Sequence, residues 1–93
     1  MENSAKTERQ LERIVKGFAN HRRIQMMGLL ETHPDLSLSE VCSILRIGVK
    51  TGCEHLRRLA FAGLVLKRYE GRRVRHRLTT RALDILTFLR KLE

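Results

Sequence analysis

Apolar residues near the start of the chain recur at helical spacing. Leu11, Ile14, Val15, Phe18 and Ala19 fall at i, i+3, i+4, i+7 and i+8, one face of a helix expected from about Ala5 to Ala19. Ser4 or Thr7 is a suitable cap. Asn20 then opens a second helix, about His21 to Thr32, with Ile24, Met27 and Leu30 on its inner side. His33-Pro34-Asp35 breaks that pattern. A third helix is expected from Leu38 or Ser39 to Leu45, with Leu38, Val41, Cys42 and Leu45 inward; Ser37 and Glu40 have the spacing of a capping box. Arg46-Ile47-Gly48 reads as a short turn that stops on its glycine. The fourth helix, about Val49 to Ala62, places Leu56 and Leu59 inward and ends at Gly63. A last helix spans Thr80 to about Leu92.

Between the last two helices the period changes from 3.6 to 2. Val74, His76 and Leu78 alternate with Arg73, Arg75 and Arg77, the pattern of a strand with one face inward. Val65 to Tyr69 pairs with it across a turn at Glu70-Gly71, glycine supplying the positive φ. A helix pair of about two and three turns joined by a short glycine-containing turn, residues 39–63, is a helix-turn-helix. With the hairpin of residues 64–78 and the closing helix of 80–92, the whole is one domain, 1–93. The fold expected is mainly α with a small β-hairpin: a winged helix-turn-helix of five helices and a two-stranded wing.

Charge adds a partner to this outline. The chain carries a formal net charge of +9, and its two parts differ. Residues 1–35 hold six Lys/Arg against five Asp/Glu, a balance of +1; residues 36–93 hold thirteen against five, a balance of +8. From Lys67 to Arg77 there are six Lys or Arg and one acid, Glu70. Like charges crowded on a short ribbon repel, and a polyanion relieves that repulsion. No apolar run is long enough to span a bilayer, no signal peptide is read at the start, and two cysteines eleven apart do not make a secreted disulfide framework. A reducing cytoplasm is the expected setting. There is no nucleophile–base pair, paired carboxylate or phosphate loop, so no enzyme is read here.

The chain resembles the winged helix-turn-helix repressors of the ArsR type, the arsenical- and metal-responsive regulators, from about Phe18 to Leu89. The matching pieces are NHRRIQMMGLL, LSLSEVCSIL, EHLRRLAFAGLV and YEGRRVRHRLT. The family's His-Leu-x-x-Leu-x-x-x-Gly-Leu-Val stands as His55, Leu56, Leu59, Gly63, Leu64 and Val65. The resemblance implies a fourth helix lying in the major groove. Its outer face holds Lys50, Cys53, Glu54 and Arg57, flanked by Thr51 and Arg58. Lys and Arg can reach phosphate or guanine, Thr either, and Glu cytosine N4. Glu54 stands where the family has arginine, and an intrahelical pair with Arg57 or Arg58 is the favoured reading of it. Gly52 replaces a branched apolar residue. Arg72, Arg73, Arg75 and Arg77 are expected to contact backbone or minor groove.

The family's metal patterns are not present. Ser37 and Ser39 stand where two of three thiols would be, leaving Cys42; the last helix has Asp84 and no histidine. No metal and no cofactor are expected. Cys42 reads as a small core side chain, Cys53 as exposed, and His55 as a helix-packing or phosphate-contacting residue. The last helix is apolar over more than half its circumference, so a second surface is expected to cover it. A symmetric dimer through Leu11, Ile14, Val15 and Phe18 of the first helix and Leu83, Leu86 and Leu89 of the last satisfies both. The function expected is a cytoplasmic, homodimeric, sequence-specific regulator on double-stranded DNA. The alternative is a winged-helix module for protein interaction or RNA binding.

Overall fold

The structure is a computed structural model and describes residues 5–93; Ser4, one of the two caps considered above, lies outside them. Five helices and a small antiparallel sheet follow in the order α1 (Glu8–Phe18), α2 (His21–Thr32), β1 (Leu36–Ser37), α3 (Leu38–Leu45), α4 (Val49–Phe61), β2 (Val65–Glu70), β3 (Arg73–Leu78) and α5 (Thr80–Arg90). The helices start where side chains can satisfy the orphan amides of the first turn. Thr7 and Gln10 form a capping box on α1, Asn20 accepts from the amides of Arg22 and Arg23, and Ser37 and Glu40 form the capping box of α3.

Three local expectations change. The sheet has three strands in the order β1-β3-β2, because Leu36 and Ser37 pair with His76 and Arg75. Two residues between a proline break and a helix cap are too few for period-two alternation to show. The hairpin turn is Gly71-Arg72, one residue later than expected, since Glu70 still pairs with Arg73. Helix α3 stops on Arg46, which is left-handed at φ 56°, and Gly48 is instead the extended N-cap of α4. Left-handed glycines do occur at Gly63, ending α4, and at Gly71 in the hairpin.

The core is built from Met26, Met27 and Leu30 of α2, Val41 of α3, Leu56 and Leu59 of α4, Leu64 and Val65 entering β2, and Ala82 and Leu86 of α5. On α2 this shifts the inner face by one position: Met26 is buried and Ile24 is exposed. Gly52 is buried because α3 and α4 cross closely there, and a Cβ on it would collide with Cys42 Sγ. Gly17 plays the same part between α1 and α4, where a Cβ would meet that of Ala62. The end of α4 is tied to the start of α5: Thr79 Oγ1 donates to Gly63 O at 2.7 Å and Arg81 Nη1 to Ala62 O at 3.0 Å. Carbonyls that a helix end leaves without partners are thereby satisfied.

Candidate nucleic-acid interface

Helix α4 turns Gly52, Leu56 and Leu59 inward, and helical spacing then carries Lys50, Cys53, Glu54 and Arg57 to its outer side. Lys50, Thr51, Cys53, Arg57 and Arg58 are exposed there. Glu54 is half-buried by its partners. Arg57 donates to both of its carboxylate oxygens (Nη2 to Oε2 at 2.8 Å) and Arg58 Nε donates to Oε2 at 2.9 Å. These bonds hold the Glu54 carboxyl below its ordinary pKa. The outer face of α4 therefore presents Lys50 and Thr51 exposed near its N-terminus, Lys50 without an ion pair among the described residues, and two arginines clasping one acid further on.

The wing arginines divide into two sets. Arg75 Nε donates to Glu70 at 2.8 Å and its Nη1 to the carbonyl of Asp35 at 3.0 Å. Arg77 Nη2 reaches the Asp35 carboxylate at 2.5 Å, and Arg68 stands 3.9 Å from the same group. Arg72 and Arg73 make no ion pair among the described residues. They line a groove of about 460 Å³ between the wing, the start of α3 and α4, whose walls include Ser39, Cys53, Lys67 and Tyr69. Among the described residues no acid lines it.

Asp35 is the residue that the sequence pattern does not reveal. It holds a left-handed backbone at φ 69°, its amide donates to the carbonyl of His76 at 2.9 Å, and its carboxylate serves two wing arginines. Arg77 beside it keeps its carboxyl below the usual range. The only signal in the sequence is an acid directly after the proline break. Along the hairpin itself Glu70 is the one acid; in space, Asp35 is a second.

His55 is a packing residue. Arg23 Nε donates to His55 Nδ1 at 3.2 Å, and Arg23 Nη1 donates to the carbonyls of Lys16 and Gly17, both at 3.0 Å, so one guanidinium caps α1 and ties it to α4. Burial first, then Arg23, lowers the His55 pKa. His76 is 3% exposed, its Nδ1 lies 3.0 Å from the carbonyl of Leu36, and burial lowers its pKa. Since a carbonyl only accepts, Nδ1 carries the proton. Cys42 is buried, which raises its thiol pKa, and Cys53 is exposed. Among the described residues no three His, Cys, Asp or Glu side chains are grouped as a metal site would need.

The expected dimer residues also divide. Leu11, Val15 and Leu83 are exposed, as are Phe88 and Leu92. Ile14, Phe18 and Leu89 are partly buried against the core. Leu86 is 4% exposed and belongs to the core of the protomer itself. Its place on α5, one turn beyond the buried Ala82, puts it on the same inward side of the helix. No helix among the described residues is long and apolar enough to cross a membrane.

Comparison with family models and with curated proteins finds no match. Solved structures do match. HlyU from Vibrio cholerae N16961 is 30% identical over 99% of this chain and 97% of its own, with a TM-score of 0.80. The transcriptional regulator HlyU from Vibrio vulnificus is 28% identical over 89% of this chain and 86% of its own, with a TM-score of 0.74. The homodimeric winged helix-turn-helix DNA-binding domain of Mb0332 from Mycobacterium bovis, a possible ArsR-family transcriptional regulator, shares the fold. It has a TM-score of 0.81 at 23% identity, over 96% of this chain and 88% of its own.

Proposed function

The chain belongs to the ArsR-type winged helix-turn-helix transcriptional regulators, and on that premise we propose that it acts as a homodimeric, sequence-specific regulator on double-stranded DNA in the cytoplasm. One observation carries the reading. Helix α4 offers Lys50, Thr51 and Arg57 on an outer face, and beside it lies a groove edged by Lys67, Arg72 and Arg73 with no acid in its walls among the described residues. A helix in the major groove with a cationic ribbon on the adjoining backbone uses both features at once. Lys50 and Thr51 read base edges. Arg72 and Arg73 take phosphate or minor groove. Arg75 and Arg77, engaged with Glu70 and Asp35, hold the wing's shape first and add to its positive field. Cys53 sits between the two surfaces.

The dimer half of the proposal rests on the exposed apolar residues Leu11 and Val15 of α1 and Leu83 and Phe88 of α5. A two-fold axis through them would present two α4 helices to successive turns of one face of the duplex. No metal enters this reading: Ser37 caps α3 and its hydroxyl lies 3.2 Å from that of Ser39, where thiolates would be required.

The alternative, a winged-helix module without base readout, draws its support from Glu54. By clasping Arg57 and Arg58 it removes charge from the surface that would read bases. Selection of bound sequences from a random duplex pool decides between them. The regulator enriches one palindromic site, with half-sites about one helical turn apart. An unenriched pool supports the interaction module.

A further inference from the structure

A second cleft lies away from the wing, between α1, the end of α4 and the start of α5. It is open, with a volume of about 560 Å³, within the range of roughly 300–1,000 Å³ usual for small-molecule sites. Its cationic walls are Lys6, Arg13, Lys16, Arg57, Arg58 and Arg81, and among the described residues no acid lines it. Its apolar side is Ile14, Ala62 and Phe61. Phe61 is 85% exposed, so a large aromatic ring stands at the cleft with almost nothing over it. The close approach of Gly17 to Ala62 brings the helices together at the bottom, and Arg13 stands one helical turn from Gly17 on the same side of α1. Leu11 and Val15, the exposed apolar residues of α1 proposed for the dimer, are absent from its lining; of the α1 residues expected at the dimer, Ile14 lines it.

We propose that this cleft binds a small organic anion with a flat apolar body, an aromatic carboxylate in class. A phosphate or sulfate alone would satisfy the guanidinium groups and leave Phe61 uncovered. A neutral aromatic would cover Phe61 and leave the arginines without a counter-charge. An aromatic carboxylate does both, stacking on Phe61 while Arg13, Arg81 or Arg58 takes the carboxylate through charge-assisted hydrogen bonds. Arg57 and Arg58 connect the cleft to the proposed DNA face, because both already hold Glu54. A carboxylate in the cleft competes with Glu54 for them, and a released Glu54 places an uncompensated negative charge on the face of α4. That regulatory consequence rests on the DNA-binding reading; the binding site does not.

Calorimetry on the full chain without DNA, at fixed ionic strength, tests the site. The probe is 2-naphthoate, with 2-naphthylmethanol and inorganic phosphate as controls. The expected result is saturation at one naphthoate per protomer below about 1 mM, with neither control competing. Arg13→Ala and Phe61→Ala, both at exposed positions that keep the core intact, should each weaken naphthoate binding by about tenfold. Three results overturn the proposal: no saturation, phosphate competing as well as naphthoate, or both variants binding like the parent. A fourth does too: if the variants lose affinity for scrambled duplex while naphthoate binding is unchanged, the cleft is a phosphate-backbone contact. If naphthoate binds as expected and no DNA site is ever selected, the site stands and the regulator reading alone fails.

Discussion

Gly52 and Cys42 occupy one volume between them. By sequence, Gly52 is a helix-weakening substitution on the recognition helix. In the structure it is the residue that lets α4 lie against α3. Gly52→Ala should therefore destabilise the fold by about 1–3 kcal/mol through overpacking, against a gain of about 1 kcal/mol in helix propensity. In a Cys42→Ala background the cost should shrink or reverse, and urea unfolding of the four proteins measures the coupling. Equal effects in both backgrounds would deny the contact. Two histidines make a second residue-scale prediction. His55 and His76 have pKa values lowered from about 6.5, chiefly by burial, with Arg23 facing His55 and Lys67 near His76. Glu54, His21 and Arg22 also act on His55. The unfolded chain takes up these protons near 6.5 and the folded chain only at lower pH. Stability is then full above that value and lost as pH falls below it. The carboxylates lowered by their arginines titrate further down, so the upper part of the fall belongs to the histidines. The thermal midpoint should drop between about pH 7.5 and about pH 5, and His76→Phe should flatten that slope. A midpoint that holds steady or rises would count against the assignment.

Elements are more legible than the joints between them. Helix bounds follow from Thr7, Asn20, Ser37 and Gly63 because capping is local chemistry written within three residues. Strand β1 is not legible, since its two residues gain their pairing only from β3, forty positions away. Leu86 defeats the pattern for a related reason: an all-round apolar helix does not say which side meets its own core. The wing shows the limit most clearly. Its alternation is readable, its charge balance is not, because Asp35 comes from the connection after α2. Asp35→Asn should loosen Arg68 and Arg77 and speed amide exchange where β1 meets β3. It should also raise affinity for scrambled duplex, steepening the salt dependence by about one unit for each arginine that becomes free to meet phosphate. An unchanged slope with intact exchange protection would show that Asp35 does not restrain the wing.

For the whole molecule, the excess of basic residues resolves into two faces, the second drawing Lys6, Arg13 and Lys16 from the part that composition gives as nearly neutral. One is the α4–wing groove, the other the cleft against α1. The winged helix itself is readable from period and motif; which arginines stay free is not, because that depends on where folded acids arrive. The exposed apolar residues of α1 and α5 lead to an assembly prediction. The parent should sediment as a dimer at micromolar concentration. Leu11→Glu with Val15→Glu, both exposed in the protomer, should give a folded monomer with weaker DNA affinity, since two joined half-sites bind better than one. A monomeric parent would refute it. The central claim is that α4 reads bases while the wing holds the backbone. Its most direct test is the titration of Lys50→Ala and Arg73→Ala against a selected site and a scrambled duplex at several salt concentrations. Lys50→Ala should lose about 1–3 kcal/mol on the selected site and little on the scrambled one. Arg73→Ala should weaken both and flatten the salt dependence by about one unit for each phosphate the protein no longer neutralises. If Lys50→Ala binds both duplexes as the parent does, α4 does not lie in the major groove and the account is contradicted.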